Sequence, residues 1–245
     1  MLMYHAVGGP SEAPSRFVVP LRRLQRQLAL LRRLRYRVVP LGELLRALEE
    51  GSVPRRTVVI TFDDGYADNR DLAYPVLERL RMPASIFAVS GRAKNDWTRE
   101  TPLGGRPLLR LDELRELGPF IDIGAHTRTH PMLTSLTQEE ARGEIAGSRR
   151  DLEEALGRPV MLFAYPYGAY NAQVRALVEE AGFSAACTVA PGRNPSGRNR
   201  FELRRLEIEG TYSLPRFLLA LWIGDTRLLR RWRARRARGA PRGVG

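Results

Sequence analysis

Two histidines and a pair of aspartates are the residues of this chain best suited to chemistry. His126 and His130 are two of only three histidines in 245 residues. Their i, i+4 spacing lets both imidazoles face the same way over one turn of chain. Pro131 disfavours helical backbone at His130, so the pair is expected on a loop turn. Two imidazoles and one carboxylate, with a position left open for water, form the donor set of a catalytic zinc. Asp63-Asp64, followed by Gly65, offers the carboxylate. On extended backbone adjacent side chains point to opposite sides. At a strand's end, with Gly65 permitting a sharp turn, one aspartate can ligate while the other reaches the activated water. Such a cation lowers the pKa of water from 15.7 toward ~7, and a neighbouring carboxylate can then take its proton. Asp-Asp-Gly is also a common turn or helix N-cap sequence, and the residues alone leave both readings open.

The elements around these residues say where they meet. Short β-branched or apolar runs alternate with amphipathic helical patterns along the chain, the mark of βα units. Strands are expected at 2–7, 38–39, 57–62, 84–89, 121–124, 161–164, 184–189 and 203–208, and helices at 21–33, 41–50, 69–81, 112–117, 138–156 and 172–181. Thr137 with Glu140 reads as a capping box, and Asn171 as a cap for the helix that follows. Seven to eight strand-like runs fit a single-domain α/β fold, a distorted TIM-like barrel, better than an open sheet. Asp63-Asp64, His126…His130 and Tyr165-Pro166-Tyr167-Gly168 each follow a different strand. In a parallel barrel those ends share one rim, where active sites are built.

Composition narrows the remaining classes. A lone Cys187 in an apolar run excludes an intrachain disulfide and a cysteine zinc cluster, and a buried structural thiol is expected. The net charge of +13 is concentrated. Residues 13–37 and 227–245 hold eight arginines each and no acid, so the rest of the chain is slightly acidic. No nucleic-acid-binding module or aromatic-interleaved basic stripe accompanies the charge, and no nucleic-acid partner is expected. A barrel over 1–212 and a C-terminal amphipathic helix with a basic tail over 213–245 are the expected divisions. In that last part Phe217, Leu218, Leu221, Trp222, Leu228, Leu229 and Trp232 lie beside many arginines, a composition that rests on the barrel or on an anionic membrane. With no secretion signal and no run of ~18 apolar residues, the chain as written reads as cytoplasmic, unless an upstream leader has been omitted.

Thr61-Phe62-Asp63-Asp64-Gly65, His126-Thr127-Arg128-Thr129-His130 and Phe163-Ala164-Tyr165-Pro166-Tyr167-Gly168 together resemble the three leading motifs of the polysaccharide deacetylase family, the NodB-homology group. The resemblance covers roughly residues 2–208. It implies a seven-stranded β/α barrel, one divalent metal ion (commonly zinc) and removal of acetyl groups, N-linked or O-linked, from an acetylated glycan. Carried over by position, Asp63 is the general base, and Asp64, His126 and His130 are the metal ligands. The backbone N–H of Tyr167 helps stabilise the oxyanion, and Thr127 braces the histidine loop. Two positions depart from the family pattern. Ala164 stands where an arginine usually holds the base, and no histidine follows His130 to supply the general acid. His5, at the end of the first strand, is the remaining candidate acid, with a hydrogen-bonded rim histidine as the alternative. Arg204 or Arg205 could replace the missing arginine. Tyr-Pro-Tyr-Gly in the third motif marks a divergent branch. Trp97, Tyr66, Tyr167 and Tyr170 are candidate stacking surfaces for sugar rings. The rival to an enzyme is a glycan-binding barrel that has lost activity.

Overall fold

A computed structural model describes residues 1–98 and 101–224. Seven parallel strands form one curled sheet: β1 (Leu2–Tyr4), β2 (Ile60–Phe62), β3 (Ala84–Ala88), β4 (Ile121–Ala125), β5 (Leu162–Ala164), β6 (Ala185–Cys187) and β7 (Leu206–Glu207). Their order across the sheet is β6-β5-β4-β3-β2-β1-β7. Leu2 pairs with Ile60 on one side and Leu206 on the other, while β3 and β4 pair over five positions from Ala84↔Ile121 to Ala88↔Ala125. The two edges approach through residues 203–207: Leu203 bridges Cys187 in parallel and β7 pairs with β1. One short segment therefore links the last βα unit to the first strand, as the expected barrel requires.

Among the described residues six α-helices surround the sheet: α1 (Leu21–Arg33), α2 (Leu41–Glu49), α3 (Tyr74–Leu80), α4 (Gln138–Leu156), α5 (Ala172–Glu180) and α6 (Leu214–Ile223). The stripe Leu24, Leu28 and Leu31 of α1 is fully buried, with arginines outward, the separation expected of an amphipathic helix. The capping box forms as read: Thr137 accepts from the Glu140 N–H and the Glu140 carboxylate accepts from the Thr137 N–H. Asn171 caps α5 through the Val174 N–H at 2.8 Å. Helix α6 lies against α1, burying Phe217 and Ala220. Leu228, Leu229, Trp232 and the tail arginines lie outside the described residues.

Three local expectations change. The run 2–7 is interrupted at His5, because β2 ends at Phe62 and leaves no ladder to continue; Ala6–Gly8 pairs instead with Val18–Pro20. The helix over 69–81 opens with a wide π turn at Asn69–Ala73, where the Asn69 amide is tied to the His5 carbonyl at 2.9 Å. The stretch 112–117 forms only a 3₁₀ turn, Glu113–Glu116. Six residues ahead of Gly118-Pro119 are too few to offset the cost of nucleating an α-helix.

Candidate metal centre

All seven sheet strands run the same way, so the residues that follow them gather on one rim. Asp63 follows β2, His126 follows β4, Tyr165 follows β5 and His5 follows β1. The rim departs from regular backbone where the chemistry lies. Among the described residues seven non-glycine residues have left-handed φ, and four of them are here: Asp64 (71°), Thr127 (66°), His130 (61°) and Tyr167 (58°). Each such conformation costs on the order of 1–3 kcal/mol and persists only where its surroundings over-determine it. The turn after β2 starts at Asp64 itself and continues through Gly65 (φ 73°), whose place against the Ala88 backbone leaves little room for a side chain. That reversal sends the two aspartates in different directions.

Asp64 turns to the histidines. Its Oδ1 is 3.4 Å from His126 Nε2 and 3.4 Å from His130 Nε2, and ligand atoms of the three lie within 4.8 Å of one another. Ligands at zinc-like bond lengths around a tetrahedral ion are separated by about 3.3 Å, so the trio fits a small divalent cation. His126 Nδ1 lies 2.7 Å from the Ala164 carbonyl. A carbonyl can only accept, so Nδ1 carries the proton and the Nε2 lone pair faces the site. His130 Nδ1 is buried without a hydrogen-bond partner in the described residues. Its ring is held by stacking on Trp97 (4.4 Å, 17°) and by edge contact with Tyr167 (4.7 Å). Thr127 braces the loop as expected, donating to the His126 carbonyl and accepting from the His130 N–H. Glu144 of α4 accepts from the N–H groups of Arg128 and Thr129.

The electrostatics differ among the three residues. Burial pushes the Asp64 carboxyl upward, but hydrogen bonding with His126 and His130 and the charge of His130 and His5 outweigh it and hold Asp64 well below the usual carboxylate range. His130 is shifted down because burial prevails there, whereas on His126 burial is overcome by Asp64 and Asp63 and the shift is upward. Tyr66 is fully buried, its hydroxyl accepting from the Asn95 amide at 2.6 Å, and burial together with the nearby Asp64 charge pushes its phenol upward. Asn95 in turn accepts from the N–H groups of Trp97 and Thr98. The loop that carries Trp97 is thus tied through Asn95 to Tyr66.

Asp63 turns the other way, into a two-pronged ion pair with Arg205 at 2.5 and 2.7 Å. Arg205 is fully buried; it also donates to the Thr188 carbonyl and Thr61 hydroxyl and lies over the Phe87 ring. Burial alone would raise the Asp63 carboxyl, but the adjacent guanidinium outweighs it and the shift is downward. Of the two arginines left open by the sequence, Arg205 holds Asp63. The backbone of Arg204 is tied to Asn194 on the other face of the chain.

A cavity of about 620 Å³ opens over this centre and is lined by Asp63, Asp64, His126, His130, His5 and Tyr167. His5 is half-buried, edge-on to Phe17 at 5.1 Å. Trp97 and Tyr167 also line the space, with Tyr167 46% exposed. Tyr66 is buried beneath Asp64, and Tyr170 stacks on Tyr165 at 4.8 Å outside the lining, so neither offers a sugar-stacking face here. Phe17 and the Arg16–Glu207 pair (2.9 Å) complete the wall. Neither had a signal in the sequence: Arg16 and Phe17 come from the loop ahead of Val18–Pro20, and Glu207 ends β7 itself. Cys187 is a buried thiol pushed up to about 12, chiefly by burial, as expected of a structural cysteine.

Comparison with known proteins gives a consistent picture. The profile of the polysaccharide deacetylase family matches residues 50–186. YxkH of Bacillus subtilis is 27% identical over 210 residues, 85% of this chain and 70% of that one. The poly-β-1,6-N-acetyl-D-glucosamine N-deacetylase of Staphylococcus epidermidis is 29% identical over 139 residues, covering 54% of this chain but only 47% of its own length. Among solved structures, the Streptococcus pyogenes deacetylase PplD, in complex with acetate, superposes with a TM-score of 0.76 at 24% identity, over 90% of this chain and 96% of that one. IcaB from Ammonifex degensii superposes with a TM-score of 0.73 at 21% identity. At these identities the structural likeness is one of fold.

Proposed function

The chain belongs to the polysaccharide deacetylase family, and from that premise we propose that it hydrolyses acetamide groups of an N-acetylated glycan. Relatives named for poly-β-1,6-N-acetyl-D-glucosamine and for chitin, both N-acetylglucosamine polymers, support N-linked over O-linked acetyl. The observation that carries the reading is the juxtaposition of two differently held aspartates: Asp64 facing His126 and His130 at 3.4 Å, and Asp63 clamped by Arg205.

In this reading Asp64, His126 and His130 hold one divalent cation, and the nitrogen-rich donor set favours zinc. Bound there, the cation supplies Lewis-acid polarisation of the acetyl carbonyl and acidifies a water. Asp63 accepts the proton of the attacking water. Arg205 keeps Asp63 ionised and fixes its orientation, at the cost of making it a weak base. As water adds to the acetyl carbon, the backbone N–H of Tyr167 donates to the oxygen on which charge develops. When the carbon–nitrogen bond breaks, the departing amine takes a proton from His5, and acetate is released. Trp97 and Tyr167 provide faces for the sugar rings. Arg205 stands in for the arginine absent at Ala164, which answers one of the two departures on which the reading of an inactive barrel rests.

Acetate release from N-acetylglucosamine oligomers, with chelator and after zinc restoration, tests this. Turnover is expected to vanish on chelation and to return with the metal. Turnover indifferent to chelator, or confined to O-acetyl esters, overturns it.

A further inference from the structure

The opposite end of the barrel, where the strands begin, holds a second cavity of about 620 Å³. Its walls include Leu34, Tyr36, Val53 and Leu221, and no aspartate or glutamate lines it. Three cations do: Arg55, Arg56 and Arg193. Arg56 donates to the Leu34 carbonyl and Arg193 to the Trp222 carbonyl, so both keep their full charge. Arg32, Arg33 and Arg35 are exposed beside the lining residues Leu34 and Tyr36. Helix α6 forms the apolar border. Arg216 is its only charged residue, and opposite buried Phe217 and Ala220 it leaves Leu219, Trp222 and Ile223 outward at 40%, 76% and 37% exposure. Their i, i+3, i+4 spacing places them on one face.

We propose that this end of the barrel docks on an anionic lipid bilayer. Trp222, Leu219 and Ile223 enter the interfacial layer, where an amphipathic indole is at home. The arginines around the cavity meet headgroup phosphates, to which they are complementary in charge. A second copy of the chain fits worse, because a two-fold contact would set arginine against arginine with no acid between. Among the described residues no helix is long and apolar enough to cross a membrane, so the attachment is peripheral. The catalytic cavity then faces away from the bilayer and meets glycan beyond its surface.

Sedimentation of the full chain with vesicles of phosphatidylcholine, alone or mixed with phosphatidylglycerol, tests the proposal. Binding is expected to the mixed vesicles at low salt, to weaken at high salt, and to be absent with phosphatidylcholine alone. Trp222→Ala should lower partitioning about ten-fold, and Arg55→Gln about five-fold. Both residues are exposed, so unchanged melting transitions confirm that the variants fold. Three results overturn it. Parent protein stays in the supernatant with anionic vesicles; or both variants sediment like the parent, assigning binding to the arginines at 227–245; or Trp222→Ala abolishes self-association without changing vesicle binding.

Discussion

The two ends of this barrel hold cavities of the same size, about 620 Å³ each, lined by contrasting chemistry. At the rim where strands end, paired carboxylates and histidines rest on left-handed turns, and the cation Arg205 is fully buried against Asp63. At the end where strands begin, aliphatic walls meet arginines with no acid among the lining residues. The same residue type serves both ends under different physical rules. A buried guanidinium must be neutralised, and Arg205 is; a solvated one need not be, and Arg55 is left facing water. Breaking a partnership should therefore be costly at the first end and nearly silent for folding at the second.

The largest effect is expected from His126→Ala. It removes one of the three proposed ligands and the contact that joins the rim of β4 to that of β5 at Ala164. Metal content measured after purification should fall to background, with turnover lost alongside it. A variant that keeps stoichiometric metal would move the centre elsewhere. Asp63→Asn should separate the roles of the two aspartates: metal retained, turnover down by roughly 10²–10⁴-fold. Near-normal turnover would remove Asp63 from the role of base.

The third test addresses the buried ion pair. Arg205→Met leaves the Asp63 carboxylate buried without its cation, which should cost about 3–5 kcal/mol, read from chemical denaturation. Adding Asp63→Asn to Arg205→Met should recover much of that loss, since neither charge then remains. The pH dependence follows from direction. Asp63 and Asp64 are both held below the carboxylate range in the folded protein. Their contribution is therefore complete above the unfolded value of about 4 and is lost as pH falls through the depressed folded values. The parent should lose stability below about pH 4. In Arg205→Met burial of Asp63 loses its main opponent, with only the weaker pull of His126 and His5 left, and the acid limb should begin at higher pH.

What the sequence disclosed and what it withheld have physical causes. Asp64, His126 and His130 were legible because each lies beside the end of a β-branched or apolar run, and parallel strands bring such ends together. The Thr137–Glu140 box was legible because capping is local. The choice of Arg205 was not, because residues 203–208 carry apolar side chains at both parities: Leu203 shares a face with Arg205, while Leu206 and Ile208 share the other. Only the way this segment spans from Cys187 to Leu2 decides which face looks into the barrel. Tyr66 was misread as a sugar platform because a tyrosine next to a motif aspartate looks the same whether its ring points out or lies beneath the carboxylate.

Tyr66 also supplies the smallest and most discriminating test. Its hydroxyl lies in the field of Asp64 and accepts from Asn95, and Asn95 holds the backbone of Trp97 and Thr98. Tyr66→Phe keeps the buried ring but removes the hydroxyl, leaving the Asn95 amide without its acceptor and Asp64 without a neighbouring dipole. Unpaired buried polar groups of this kind cost about 1–3 kcal/mol. If the hydroxyl supports Asp64, its removal should lower metal affinity by about 10–100-fold. Zinc titration against a competing chelator should show that drop, while turnover at saturating metal stays within a few-fold of the parent. A Tyr66→Phe variant with unchanged affinity would mean that His126 and His130 orient Asp64 by themselves. One that loses turnover at saturating zinc would instead place the Asn95–Trp97 loop in control of the substrate.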